Sequence, residues 1–125
     1  MNNLETRTTE IDGETWSCNP FMGTTGVGYL KRLFKVFGQS FSVLVSQEDG
    51  EVGMGRAIDL LVENLDKDDV VDLVKKLCSG VMKDGKAINF DTEFAARYDV
   101  LIKVVTFVVK ENFGSFFQNS GIVNV

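Results

Sequence analysis

Residues 91–117 read DTEFAARYDVLIKVVTFVVKENFGSFF, and the fold turns on how that stretch is wound. Between Tyr98 and Phe113 the apolar residues Val100, Leu101, Ile102, Val104, Val105, Phe107, Val108 and Val109 are broken in the middle only by Lys103 and Thr106. As an α-helix this segment is apolar on nearly its whole circumference. Such a helix has to be covered on most sides, by its own domain or by another chain. A membrane span needs about 20 mostly apolar residues, and Lys103, Lys110 and Glu111 interrupt the run.

Just before it, Asp91 predicts the cap of a short helix through about Tyr98, with a kink or break near Arg97–Asp99 and the long helix then continuing to about Asn112. Residues 81–89 (VMKDGKAIN) read as a β-hairpin, because Asp84-Gly85 is a strong type I′ turn signal. Asp12-Gly13 gives the same signal between arms of roughly Leu4–Ile11 and Glu14–Cys18. Trp16 and Cys18 then share one face of the second arm, with Thr15 and Ser17 on the other. Trp16 is a lid on the core or an anchor for a partner. An isolated two-stranded hairpin is marginal in water, so the two are expected to join as one small sheet at the edge of a helical body.

Between the hairpins the apolar spacing is helical. Tyr29, Leu30, Leu33, Phe34 and Phe37 predict a helix over Thr25–Phe37, with Thr24 or Thr25 as its cap and Gly38 as its stop. Ser40–Gln47 is read as helix. Residues 48–55 (EDGEVGMG) read as a solvated loop whose acids do not follow the spacing of an EF-hand. Ile58, Leu61, Val62 and Leu65 make one stripe of a helix over Arg56–Leu65. Asp66 or Asp68 is expected to cap another that reaches Cys78, with Val70, Leu73, Val74 and Leu77 inward, Lys75 and Lys76 at its dipole's negative end and Gly80 as terminator. Residues 118–125 are expected to fray. The predicted fold class is mainly α: a compact helical single domain over 1–125 with one or two short β-hairpins.

Composition excludes several functions. A net charge of −5 and a pI near 4.7 argue against nucleic acid and against an anionic membrane, both of which need a basic surface. There is no histidine, and Cys18 and Cys78 are the only cysteines, too few ligands for a four-coordinate zinc site within one chain. No cofactor is implied. The polar N-terminus (Asn2, Asn3, Glu5, Thr6, Arg7) is unlike a secretory leader, so the chain is expected in the cytoplasm with both thiols reduced and Cys78 packed as a small apolar residue. Gly23, Gly26 and Gly28 lack the Lys-Ser/Thr pair that a phosphate-binding loop needs. Without histidine a Ser or Cys nucleophile has no usual base, and the acids Asp66, Asp68, Asp69 and Asp72 are accounted for by a helix start. A working carboxylate pair would need burial, open only to Glu93 or Asp99 if drawn inward. The chain is therefore read as a non-enzyme.

Residues 88–117 resemble phage tail assembly chaperones, small proteins encoded near the tape measure protein of long-tailed phages. The resemblance is carried by Phe90-Asp91, Phe94-Ala95-Ala96-Arg97-Tyr98, the apolar helix, Asn112-Phe113 and Phe116-Phe117. It implies a non-enzymatic protein of the host bacterial cytoplasm that coats the aggregation-prone helices of the tape measure protein and is absent from the finished particle. A chaperone for an amphipathic helix needs an apolar groove filled by the client's i, i+3, i+4 and i+7 anchors. The apolar helix, with Phe107, Phe113, Phe116 and Phe117, is the candidate to line such a groove or a homo-oligomer surface; the alternative is that these residues complete the core. A structural virion component, such as a tail or head-tail connector protein, is the competing function, and it would persist in purified particles.

Overall fold

The computed structural model describes residues 4–38, 50–64, 66, 67 and 70–120, with backbone only at 50–54 and 116–120. Local chemistry makes two hairpins: β1 (Arg7–Ile11) with β2 (Glu14–Cys18), and β3 (Met82–Lys83) with β4 (Lys86–Ala87). Both turns are Asp-Gly pairs with positive φ at each residue, 50° and 82° at Asp12-Gly13, 51° and 81° at Asp84-Gly85. That is the type I′ geometry whose twist matches the strands it joins. The hairpins merge into one antiparallel sheet in the order β1-β2-β3-β4, with Trp16 opposite Lys83 and Ser17 opposite Met82. The second turn is tied to β2 from both sides, as Asp84 N–H donates to the Thr15 carbonyl at 2.7 Å and Thr15 N–H to Asp84 Oδ1 at 3.2 Å.

The helices among the described residues are α1 (Gly23–Phe37), α2 (Gly50–Glu63), α3 (Val70–Leu77), the short α4 (Phe90–Glu93) and α5 (Tyr98–Ser120). The architecture is thus mixed α/β rather than mainly α. Both hairpins and their joining into one sheet are as expected, but the mainly α class gives that sheet too little weight: four short strands pooled together give α5 a β surface to pack on. Several boundaries move for identifiable reasons. Met22, extended at φ −62° and ψ 151°, precedes α1 without a side-chain cap, so Thr24 and Thr25 lie inside the first turn. Gly38 ends α1 at φ 57°, its N–H returning to the Phe34 carbonyl. The region predicted as loop from 48 to 55 is helical from Gly50 onward; the segment 40–47, read as helix, lies outside the described residues.

Asp66, one of the two expected caps of α3, sits in a turn; the other, Asp68, lies outside the described residues. α2 leads into α3 through successive backbone bonds, Asn64 to Leu61, Lys67 to Asn64 and Val70 to Lys67. The cap of α4 is Asn89, whose carboxamide oxygen accepts from Thr92 N–H at 3.1 Å, two residues before the expected Asp91. The predicted break before the long helix lies at Phe94–Arg97, where Ala96 adopts φ 56°. Residues 118–120, expected to fray, continue α5.

The core gathers Ile11, Trp16 and Cys18 from the sheet, Leu33, Val36 and Phe37 from α1, Leu60 and Leu61 from α2, Val70, Leu73 and Leu77 from α3, and Val100, Val104, Val105, Val108 and Val109 from α5. Trp16 is fully buried and stacks on Phe94 with centroids 5.7 Å apart, a lid on the core rather than a partner anchor. Burying one aromatic side chain of this size contributes about 2–3 kcal/mol.

Candidate functional site

α5 is apolar all round, and its neighbours cover most of it: β1, α2 and α3 all pack on it. The sector left over lies near its N-terminal end. There Tyr98, Leu101, Ile102 and Val105 face Leu61 and Val62 of α2 and Val71 and Val74 of α3, with Phe90 of α4 closing one end, around a groove of about 360 Å³. Every lining residue is aliphatic or aromatic. Leu61 and Val105 form the floor, and Val62, Val71 and Tyr98 stand at the lips 57%, 55% and 67% exposed. Phe90 is held by an edge-to-face contact with Phe94 at 5.2 Å and by the Lys75 ammonium 5.8 Å above its ring.

The four phenylalanines predicted from sequence lie toward the other end of α5. Phe113 is 6% exposed and packs against Phe21 at 6.3 Å. Its neighbour Asn112 accepts the Phe21 N–H at 2.9 Å and donates to the Val108 carbonyl at 3.0 Å. The pair therefore fastens the chain between β2 and α1 onto α5. Phe107 is half-buried beside a second depression of about 360 Å³, between Thr9–Asp12 and α5. That depression is of mixed polarity, with Lys103 reaching Asp12 at 3.1 Å. The side chains of Phe116 and Phe117 lie outside the described residues; the backbone carrying them is helical, not beyond a helix end as the sequence suggested.

The sequence points to the apolar helix as one wall of a groove but not to the walls from α2 and α3. Val62 reads as part of the stripe with Ile58, Leu61 and Leu65, and Val71 falls off the stripe of Val70, Leu73, Val74 and Leu77. An apolar residue beside a complete stripe was the available signal.

Glu93 is drawn inward as one sequence option required, but between two cations. Its side chain, 15% exposed, meets Lys83 Nζ at 2.6 Å and Arg97 Nη1 at 2.8 Å, and Glu14 closes the quartet through contacts with Arg97 and, at 3.6 Å, Lys83. The hydrogen bond to Glu93 raises the Lys83 pKa, and that to Glu14 raises the Arg97 pKa. The quartet ties both hairpins to the turn before α5, a structural use of the carboxylates. Asp99 is exposed. Burial pushes the thiol of Cys18 to about 11 and that of Cys78 to about 12, leaving both protonated and inert as nucleophiles at neutral pH. Among the described residues no group of three or more His, Cys, Asp or Glu is placed to hold a metal ion, and no helix is long and apolar enough to cross a membrane.

The described residues thus form a sheet-backed helical body with an open, wholly apolar groove. A family model described as phage tail assembly chaperone protein, TAC, matches residues 12–123, so the chain belongs to the phage tail assembly chaperone family. This is not an enzyme family, and it implies a tail protein as client. No curated protein and no solved structure matches the chain.

Proposed function

We propose that the chain binds the tape measure protein in the host cytoplasm and keeps it from aggregating until the tail tube forms, the groove between α2, α3 and α5 holding amphipathic helices of that client. The carrying observation is the groove itself: nine apolar residues from four helices, with its lips open to solvent. A tape measure protein is a long helical polypeptide whose apolar stripes lack partners before assembly, and an apolar groove accepts such stripes through residues spaced i, i+3, i+4 and i+7. The chaperone does no chemistry on its client and leaves before the particle is complete.

Co-expression with the tape measure protein tests this. The wild-type chain is expected to hold the client in the soluble fraction and co-purify with it, whereas Val71→Asp with Tyr98→Asp loses both while melting near the wild-type temperature. Unchanged rescue by that pair overturns the groove as client site. Phe116→Asp with Phe117→Asp, run in parallel, tests the far end of α5; loss confined to that pair moves the binding surface there. Mass spectrometry of purified virions separates the chaperone from a virion component, since the chaperone is expected to be missing.

A further inference from the structure

The groove is apolar, but its rim is not neutral. Asp59 stands three residues before the lip residue Val62 on α2, and Glu63 directly follows it. Asp99 adjoins Tyr98 and precedes Ile102 by about one helical turn on α5. These three carboxylates are exposed. At the Phe90 end the rim is balanced, since Lys75 lies over that ring and 4.0 Å from Asp91. The other cations nearby are committed away from the groove: Lys76 pairs with Asp72 at 3.3 Å, Lys67 donates to the Val36 carbonyl at 2.7 Å, Lys103 pairs with Asp12, and Arg97 pairs with Glu14 and Glu93.

We infer that the groove takes a cationic amphipathic helix, a client segment whose apolar stripe is flanked by Lys or Arg. The inference rests on reading the groove as the client site and adds the charge that client must carry. Apolar burial supplies the attraction, and the rim selects among apolar stripes by rejecting those flanked by acids. A second copy of this chain is disfavoured by the same rim. A two-fold dimer over the groove would set the acids of one protomer against the acids of the other, on a chain that already carries a net charge of −5.

Two synthetic helical peptides of about 18 residues, long enough to hold helix in water, test the inference. Both carry Leu at i, i+3, i+4 and i+7; one is flanked by Lys and its twin by Glu. Three exposed ion pairs, each changing affinity by a factor of roughly two to three, predict about tenfold tighter binding of the Lys peptide by fluorescence anisotropy at low salt. The preference should fade near about 0.5 M salt, where the Debye length is only a few ångströms. Asp59→Lys with Asp99→Lys should reverse it, Tyr98→Asp should abolish binding of both peptides, and Glu5→Lys with Glu10→Lys, at the N-terminal hairpin, should leave the preference intact.

Equal affinity for the twins, with Tyr98→Asp still abolishing both, overturns the charge inference while the groove remains the client site. Binding that Tyr98→Asp does not touch overturns both. A concentration-dependent dimer that Tyr98→Asp dissociates assigns the groove to a second copy and overturns the inference as well.

Discussion

Phe113 and Tyr98 mark the two ends of the apolar part of α5, one buried and one exposed, and the proposed function gives them opposite duties that a pair of alanine substitutions separates. Phe113 is 6% exposed, against Phe21, beside the Asn112 carboxamide that holds the Phe21 backbone. Truncating a buried phenylalanine costs about 3–5 kcal/mol, the lost transfer energy plus the cavity left behind. For a chain of this size about 1 kcal/mol moves Tm by roughly 3–5 °C, so Phe113→Ala should melt about 10–20 °C below wild type. That is a large share of a total stability of about 5–15 kcal/mol. Tyr98 is 67% exposed. Tyr98→Ala should stay within about 0.5 kcal/mol of wild type, or about 2 °C. Its cost falls on binding, where losing an aromatic anchor of about 2 kcal/mol weakens client affinity roughly 30-fold. Melting followed by circular dichroism and client titration by anisotropy read the two effects separately. A Phe113→Ala protein that melts within about 3 °C of wild type, or a Tyr98→Ala protein that falls as far as Phe113→Ala is expected to, refutes the division of α5 into core and surface.

Two other outcomes follow from the polar and thiol groups. Glu93→Ala strips the shared partner from Lys83 and Arg97 and should lower Tm by several degrees, Glu93→Gln by less because the amide oxygen still accepts; equal losses would mean that the quartet acts through packing alone. Cys18 and Cys78, pushed from 9.0 to about 11 and about 12, keep their protons in the folded state while the unfolded thiols ionise above 9.0. Their contribution is therefore complete below pH 9 and is lost as pH rises through the range up to about 12. The urea midpoint of the wild-type chain should fall between pH 8 and pH 10.5 by more than that of a Cys18→Ala with Cys78→Ala variant. Parallel curves would show that the thiols are not held back by burial.

Local chemistry made the hairpins and the cores of three helices readable in the sequence. Asp-Gly demands one turn geometry wherever it falls between extended arms, and the weakness of a lone hairpin was enough to predict that the two would join. What local chemistry could not give was set by packing. Gly50, Gly53 and Gly55 each cost a helix about 1 kcal/mol relative to alanine, which favoured a loop. The helix nonetheless continues from the buried turn of Ala57, Leu60 and Leu61 back through those glycines, since propagation adds a hydrogen bond for each residue fixed. The α3 boundary moved for a related reason: Asp66, which satisfies a capping rule, is bypassed by a backbone turn, and Asp72 spends its charge on Arg32 and Lys76, whose hydrogen bonds hold its pKa down.

The same contrast explains why the family pattern and the candidate site overlap only in part: Phe90, Tyr98 and apolar residues of α5 belong to both, whereas Leu61, Val62, Val71 and Val74 lie outside the pattern. Phe94 stacks on Trp16, Arg97 binds Glu14 and Glu93, and Asn112-Phe113 clamps the chain at Phe21. These motif positions are fasteners, each coupling α5 or the turn before it to the sheet or to the chain ahead of α1, so the pattern identifies a scaffold. The groove, by contrast, is assembled from single residues on four helices, and no short window of sequence contains more than a few of them. A helix apolar on every side needs a cover for every side, and among the described residues the sector at Tyr98, Leu101 and Ile102 is left open. If that sector is where the client lies, a Val62→Lys with Val71→Lys protein should fold normally and yet fail to recover client from aggregates, whereas any change to the fasteners should reduce folding and binding together.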